Sequence, residues 1–369
     1  MPKASTRRLY LIPILSKALD ILELLQREDR PMALEAIYQR TRISKTTVYR
    51  ILKTFVHRGY LAQSQEGLYR LVSRPRKVRF GFAKESAEMP FSEEVAASLQ
   101  FAADQAGVDL MVLDNRYDGP TAVKVAEEFI HKRVDLVIEF QIDQHVAPII
   151  ADKIAAAGIP LIALDIPHPH ATYFGVDNYR VGVEAGELLA QHAMAQWNRR
   201  VDWVLGLDIE EAGPLVQSRI TGAFQGIRGK LPGLPIESFV RIDTRGMRER
   251  SRKAIADFLS RHPREKHILI AAATDTGALG ALEAVRELNR EKHVFLAGQD
   301  CIPEALEEIR KPASPWLGSV SHEAATYGPR LIQLGLSILR GQTVAPYNHV
   351  EHKLVTREIL ERQASFQPE

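Results

Sequence analysis

The sequence predicts an α/β protein in two parts. A winged helix-turn-helix is expected over residues 1–72, a linker over 73–79, and a two-lobed domain of parallel sheets flanked by helices over 80–369. Three observations predict it. First, charge is divided: the chain carries 48 Lys and Arg against 46 Asp and Glu, but residues 1–77 alone have a net charge of +10 and the remainder −8. A basic front on an acidic body points to a polyanionic partner for the front only. Second, residues 13–71 read as three short helices and a hairpin. Third, from Val78 onward strand and helix patterns alternate, as parallel sheets with helical crossovers require.

The front begins with Leu15, Leu19, Leu22 and Leu25 at helical spacing from Pro13. A second short helix comes next in "DRPMALEAIYQRT", with Leu34 and Ile37 turned inward. The break "RTRI" leads to Ser44, a favourable N-cap whose hydroxyl can accept from a free amide of the first turn. Val48, Ile51, Leu52 and Phe55 form the inner stripe of the third helix. Ser44, Lys45, Thr46, Thr47, Tyr49, Arg50 and Lys53 are left for a partner. "HRGYLAQSQEGLYRL" reads as a hairpin turning at Glu66-Gly67. A third helix that opens on hydroxyls and cations suits a DNA major groove, where such groups meet bases and phosphates. The alternative is a solvated face in a protein–protein module.

The stretch "ILSKALDILELL…TRISKTTVYRILKTFVHRGYL…GLYRL" resembles the N-terminal DNA-binding domain of the IclR family of bacterial regulators, over roughly residues 12–72. The rest of the chain does not resemble the effector domain usual in that family.

In the body, strands are expected at "VRFGFA", "DLMVLDN", "VDLVIEF" and "PLIALD", with helices at 91–106, 119–132 and 144–157 between them. A second set begins near Asp177 with "VDWVLGL", "IESFVRI", "HILIAA" and "HVFLAG", and helices at 214–230, 248–261 and 276–289. Two such sets suggest two lobes with a cleft between. Ligands of these sheets sit at the carboxyl ends of strands. Glu139, Asp165, Thr274, Asp275 and Asp300 fall at such ends, and Arg219 lies in the helix "RITGAF". Carboxylates accept and guanidinium donates, so the set suits vicinal hydroxyls.

"SAEMPFSEEVAASLQFAADQAGVDLMVLDN", "AAAGIPLIALD", "GVDNYRVGVEAGELLA", "TDTGALGALEAV", "AGQDCIPEALEEI" and "GPRLIQLGLSILRG" resemble, in family order, the periplasmic-binding-protein type 1 fold. The likeness is to its ribose- and galactose-binding branch, the fold also used as a LacI-type effector domain, and covers nearly all of 78–357. It implies Phe91 as a ring stacked on a sugar face, and Glu139, Asp165, Arg219 and Asp300 as hydroxyl contacts. His322 stands where the family often has Gln, and Thr274 where Asn often precedes the aspartate, here Asp275. The resemblance also implies chain crossings near Asp177, His322 and Glu351. Lobe 1 is then about 80–176 and 323–350, and lobe 2 about 177–322 and 351–357.

The expectation is a sugar- or polyol-responsive bacterial transcription regulator: a homodimer on double-stranded operator DNA, with no cofactor, no metal and no membrane partner. Two alternatives stand beside it. An exported sugar receptor for transport is disfavoured by the fused DNA reader, and because Lys17, Asp20 and Glu23 interrupt any leader-like apolar run. A sugar-acting enzyme could use the same carboxylates as acid and base. However, neither a phosphate loop nor a nucleophile elbow appears in the sequence. "DIPHPHATYF" places His168 and His170 two apart, in a proline-bearing loop without fixed ligand geometry. Cys301 is the only cysteine, which fits a reducing cytoplasm, and no apolar run reaches the ~20 residues that span a bilayer.

Overall fold

The structure, a computed structural model, describes residues 12–28, 30–72 and 77–365. The chain divides into two compact units, Met1–Lys77 and Val78–Glu369.

In the first unit, α1 (Pro13–Glu28), α2 (Leu34–Thr41) and α3 (Lys45–His57) enclose a small core. Ile21, Leu24, Leu25, Ile37, Val48, Ile51 and Leu52 fill it. Arg42 closes α2 in the left-handed conformation, its N–H donating to the Tyr38 carbonyl, and this turns the chain sharply into α3. The wing is a three-stranded antiparallel sheet of β1 (Met32–Ala33), β2 (Leu61–Gln63) and β3 (Leu68–Leu71), with β3 central. Gly67, at φ 80°, makes the tight turn between β2 and β3. One sequence reading changes. Leu15 and Leu19 share the helical spacing of α1 yet remain about half exposed, at 53% and 48%. Leu22 and Leu25 do pack inward as the spacing predicts, joined by Ile21 and Leu24, because the carboxyl half of α1 is the part that meets the core.

The second unit contains two six-stranded sheets among its described residues. The first is built from β4 (Arg79–Lys84), β5 (Asp109–Asp114), β6 (Leu136–Glu139), β7 (Leu161–Leu164), β8 (Thr172–Gly175) and β14 (Tyr347–His349), all parallel, in the order β14-β8-β7-β6-β4-β5. The second comprises β9 (Trp203–Asp208), β10 (Phe239–Asp243), β11 (Ile268–Ala272), β12 (Val294–Asp300), β13 (Trp316–Ser321) and β15 (Lys353–Thr356). Its order is β10-β9-β11-β12-β13-β15, and only β15 is antiparallel. The backbone passes between the sheets after β8, after β13 and after β14.

Buried strands alternate between two cores, because side chains of a strand point to opposite faces. Phe80, Phe82, Leu136 and Ile138 face α4 (Pro90–Ala106) and α12 (Tyr327–Leu339). Ala83 and Val137 face α5 (Gly119–Lys132) and α6 (Ala147–Ala156). In the second sheet Val204 and Leu269 pack toward α7 (Asn178–Gln196) and α8 (Gly213–Lys230). Leu205, Ile268 and Ile270 pack toward α9 (Arg248–Arg261), α10 (Asp275–Glu287) and α11 (Pro303–Arg310). A short α13 (Arg357–Ser365) comes after β15.

Helices α7 and α8 touch backbone to backbone. A Cβ at Gly222 would meet the carbonyl oxygen of Tyr179 within 3 Å, and one at Gly182 the carbonyl of Arg219. Gly222→Ala is therefore expected to destabilise the fold by ~1–3 kcal/mol, as overpacking typically does. Gly229, in the same helix, has nothing within 4 Å of its missing Cβ. Gly229→Ala should be neutral or slightly stabilising, since glycine inside a helix costs about 0.5–1 kcal/mol relative to alanine. Paired thermal melts of the two variants check this; equal midpoints would mean the helices have room to part.

Candidate functional site: a basic recognition helix and an interlobe cleft

Two surfaces concentrate polar chemistry, one in each unit. On α3, Thr46, Tyr49, Arg50 and Lys53 are exposed, and Thr47 is half-buried. Their stripe lies opposite Val48, Ile51 and Leu52, the face committed to the core. Ser44 does not cap the helix through its hydroxyl. That group instead bonds the Thr47 hydroxyl at 2.8 Å, tying two sequence-predicted contact residues together. Lys45 pairs with Glu35 at 2.5 Å. Lys53 donates to Gln63 on the wing at 2.9 Å, and its ammonium lies 5.8 Å from the Tyr49 ring centroid. Arg50 is exposed, and no hydrogen bond or ion pair of its side chain is seen among the described residues.

In the second unit, the carboxyl ends of strands from both sheets converge on a cavity of about 40 Å³. That exceeds the ~10–15 Å³ one water needs. A wider groove of about 530 Å³ adjoins it and shares Met89 and Tyr117 with its wall. Lobe 1 supplies Glu85, Met89, Phe91, Tyr117, Phe140, Ile142, Asp165 and Ile166; lobe 2 supplies Ile209, Val216, Arg219, Thr274 and Asp300. Among the described residues, two hydrogen bonds join the lobes across the cleft. The Tyr117 hydroxyl donates to the Arg245 carbonyl at 2.6 Å, and the Gln144 N–H to the Glu211 carbonyl at 2.8 Å.

Asp165 and Asp300 are aimed by unusual backbone. Asp165 has φ 58°, Asp300 φ 110° and the adjoining Cys301 φ 62°. Non-glycine residues in this region carry strain that the surrounding fold must hold. Gly175 leaves room for the Asp165 carboxylate, which a Cβ there would strike. Asp165 Oδ1 is buried without a hydrogen-bond partner. Arg219 projects from α8, 5% exposed. Its Nε donates to Asn178 Oδ1 at 2.6 Å and its Nη1 to the Ala273 carbonyl at 3.0 Å. Among the described residues no carboxylate comes within ion-pair distance of it.

Of the eight sequence-predicted cleft residues, Phe91, Asp165, Arg219, Thr274 and Asp300 lie in the cavity wall. The Thr274 hydroxyl is already used, accepting from Gly277 N–H and donating to the Gly246 carbonyl, both at 3.1 Å. Three others lie behind the wall. Glu139 is fully buried against Asn115, whose amide donates to it at 2.8 Å. Strand alternation sends Glu139 away from the cavity and its neighbour Phe140 toward it. Asp275 accepts from the Ser319 hydroxyl at 2.7 Å and the Ile302 N–H at 3.1 Å. It thereby clamps the turn that carries Asp300. His322 bonds Gln299 at 3.0 Å, and its Nδ1 lies 3.4 Å from Asp300. Its ring also meets Phe91 edge-on at 5.7 Å.

Glu85 was not among the expected residues, although it directly follows strand β4 as the others follow theirs. The residue is 7% exposed, and its carboxylate makes no hydrogen bond among the described residues. Burial, then the charges of Asp300 and Asp165, push its pKa up to about 8. Burial also raises Asp165 to about 6 and Asp300 to about 7, with Arg219 acting against both. Burial keeps His322 well below the ordinary histidine value, hence neutral. Acids whose folded-state pKa is raised stabilise the fold fully below their unfolded pKa, and that contribution is lost as pH rises through the folded value. The ligand-free protein should therefore melt progressively lower between about pH 5 and pH 8, and Glu85→Gln should flatten part of that slope. Melting curves across this range test it; parallel slopes for wild type and variant would show that Glu85 does not hold its proton in the fold.

These features define a helix-turn-helix protein carrying a two-lobed α/β ligand-binding fold. Residues 80–343 match the periplasmic binding protein domain family, to which the chain belongs over most of its length. Residues 14–65 match the IclR helix-turn-helix domain. Among curated relatives, the HTH-type transcriptional regulator DegA of Bacillus subtilis (strain 168) is 26% identical over 200 residues, covering 53% of this chain and 56% of DegA. The chain thus spans about half the length of that relative. Solved structures share the fold of the second unit. A periplasmic solute-binding protein from Actinobacillus succinogenes 130z with bound D-allose has a TM-score of 0.67 at 21% identity, over 78% of this chain and 100% of the other. An ABC transporter solute-binding protein from Mycobacterium smegmatis with bound glycerol gives 0.70 at 20%, over 78% and 96%. One from Bacillus halodurans C-125 with bound myo-inositol gives 0.67 at 19%, over 80% and 100%.

Proposed function

We propose that the protein is a transcriptional regulator whose affinity for operator DNA is set by a sugar or polyol held in the cleft. In this reading residues 1–72 read DNA, 73–79 link, and 80–369 sense the effector. The observation that carries it is the joining, in one chain, of an IclR helix-turn-helix domain to a periplasmic-binding-protein domain. The cleft of that domain buries Asp165, Arg219 and Asp300. Asp165 comes from one lobe and the other two from the second, so a ligand bound to all three favours the closed arrangement. A ligand shifts a two-state equilibrium by its differential affinity for the two states. Phe91 offers a ring to the apolar face of a sugar, while Glu139, Asp275 and His322 act behind the wall as positioning residues.

The protein is further proposed to work as a homodimer in the cytoplasm. Support comes from Ile12, Ile14, Leu15 and Leu19, which form an exposed apolar edge on and just before α1. A single winged helix also makes only a small interface with DNA. Catalysis is not part of this reading, because ligand recognition gives the buried carboxylates a role without it.

Two experiments test the two halves. Arg50→Ala should weaken operator binding by ~1–3 kcal/mol without lowering the melting temperature, as loss of one base contact would. Operator affinity equal to wild type in Arg50→Ala, Thr47→Ala and Lys53→Ala together would remove α3 from the DNA interface. In the cleft, a hydrogen bond to a charged group contributes ~1.5–3 kcal/mol, so Asp300→Ala should weaken effector binding roughly ten- to a hundredfold. Operator binding in the absence of effector should persist. The reading is falsified if Asp300→Ala and Arg219→Ala both respond at the wild-type effector concentration in an operator-binding titration.

A further inference from the structure

The cavity wall has an unusual charge balance. Three carboxylates line it, Glu85, Asp165 and Asp300, and one cation, Arg219. Seven of the remaining nine wall residues are apolar, Ile142, Ile166 and Ile209 among them. Nearby cations are committed elsewhere: Arg245 to Glu211 at 2.5 Å, and Lys84 to Glu93. The Tyr117 and Thr274 hydroxyls donate to backbone carbonyls, and Arg219 spends Nε and Nη1 on Asn178 and Ala273. The fixed donors of the wall are therefore committed, and once its three acids give up their protons it is rich in acceptors. Asp165 Oδ1 has no partner, and among the described residues the Glu85 carboxylate has no hydrogen bond, though both residues are more than nine-tenths buried. Buried carboxylates left unpaired are costly.

A neutral polyol answers this wall incompletely, since each hydroxyl brings acceptor lone pairs as well as a donor, and no charge. An ammonium group has three donors, no acceptor and one positive charge. Metal ions are a poorer match: among the described residues no three His, Cys, Asp or Glu side chains are disposed to hold one. Resting on the reading of the cleft as a polyol site, we propose that its ligand carries a cationic amine on a hydroxylated frame, as in an amino sugar or amino polyol. The ammonium lies among Glu85, Asp165 and Asp300, and the hydroxyls take the free edge of Arg219. Glu85 and Asp165 belong to one lobe and Asp300 to the other, so the same group also ties the lobes together. The raised pKa values of the three acids fit this arrangement, because a bound cation would replace protons that the empty site retains.

Calorimetry of the full chain with matched series tests the proposal: D-galactose, D-galactosamine and N-acetyl-D-galactosamine; the same three forms of glucose and mannose; and D-glucitol against 1-amino-1-deoxy-D-glucitol. At about pH 6.5 the amines are largely protonated. The amine is expected to bind at least tenfold more tightly than its neutral parent in a series that binds, with acetylation removing the gain. Titrations in buffers of different ionisation enthalpy should show proton release with the amine and not with the parent. Glu85→Gln, and independently Asp165→Asn, should erase the advantage of the amine; melting curves confirm that each variant is folded. Neutral parents binding as tightly as their amines in every responding series would overturn the proposal while leaving the polyol reading intact. No binding by any compound at millimolar concentration would overturn the polyol reading and this inference with it.

Discussion

The contact on which the cleft depends is the backbone approach of α7 and α8. Gly182 and Gly186 on one helix, and Gly222 and Gly226 on the other, let each chain lie against the carbonyls of its neighbour. The approach brings Asn178, the first residue of α7, within 2.6 Å of Arg219 on α8. An arginine side chain has many rotamers, and fixing it in a cavity costs entropy. Here that cost falls on folding, because Asn178 and the Ala273 carbonyl hold two edges of the guanidinium before any ligand arrives. Wider helices would leave Arg219 free to swing toward one of the three carboxylates and quench it.

The same logic governs the carboxylates. Asp300 is held by strained backbone and by the Asp275 clamp on the following turn, with the His322 ring behind it. Burial disfavours the charged form of His322, so it stands beside Asp300 without supplying the charge that would satisfy it. The fold keeps its acceptors in place and short of partners. Such preorganisation lowers what a ligand must spend on ordering the site, and leaves the acids of the empty cleft to keep their protons.

Much of this was legible in the sequence. The helix order, the wing and the alternating strands followed from period and turn residues, because those features are local. The strand-end rule found Asp165, Thr274 and Asp300. It failed where the side-chain direction at a strand end mattered: Glu139 and Phe140 are adjacent, and pleating alone decides which one faces the cavity. Glu85 obeys the same rule, but lies beside a lysine in "AKES" and reads as an ordinary surface charge. Its burial depends on the opposite lobe, which no local pattern contains. Leu15 and Leu19 show the converse, since helical period marks a stripe but not how far the neighbouring helices extend along it. The end of the chain, including β13, α12, β14 and β15, is distributed over both sheets, so its elements are set by long-range pairing.

The three passages of the backbone between the sheets also bear on how binding becomes motion. The passages after β8 and after β14 lie side by side, with the Val350 N–H donating to the Gly175 carbonyl at 2.9 Å. A single thread would let one lobe twist and slide as well as tilt. Several connections side by side act like the leaves of a door hinge, compliant about one axis and stiff about the others. In the proposed function, work done by a ligand in the cleft would then be channelled into one angular coordinate instead of being dissipated over many. Asn178, which grips Arg219, begins its helix three residues beyond β8, at the pin of that hinge. In the proposed function, a pull on the guanidinium would act as a torque at that pivot.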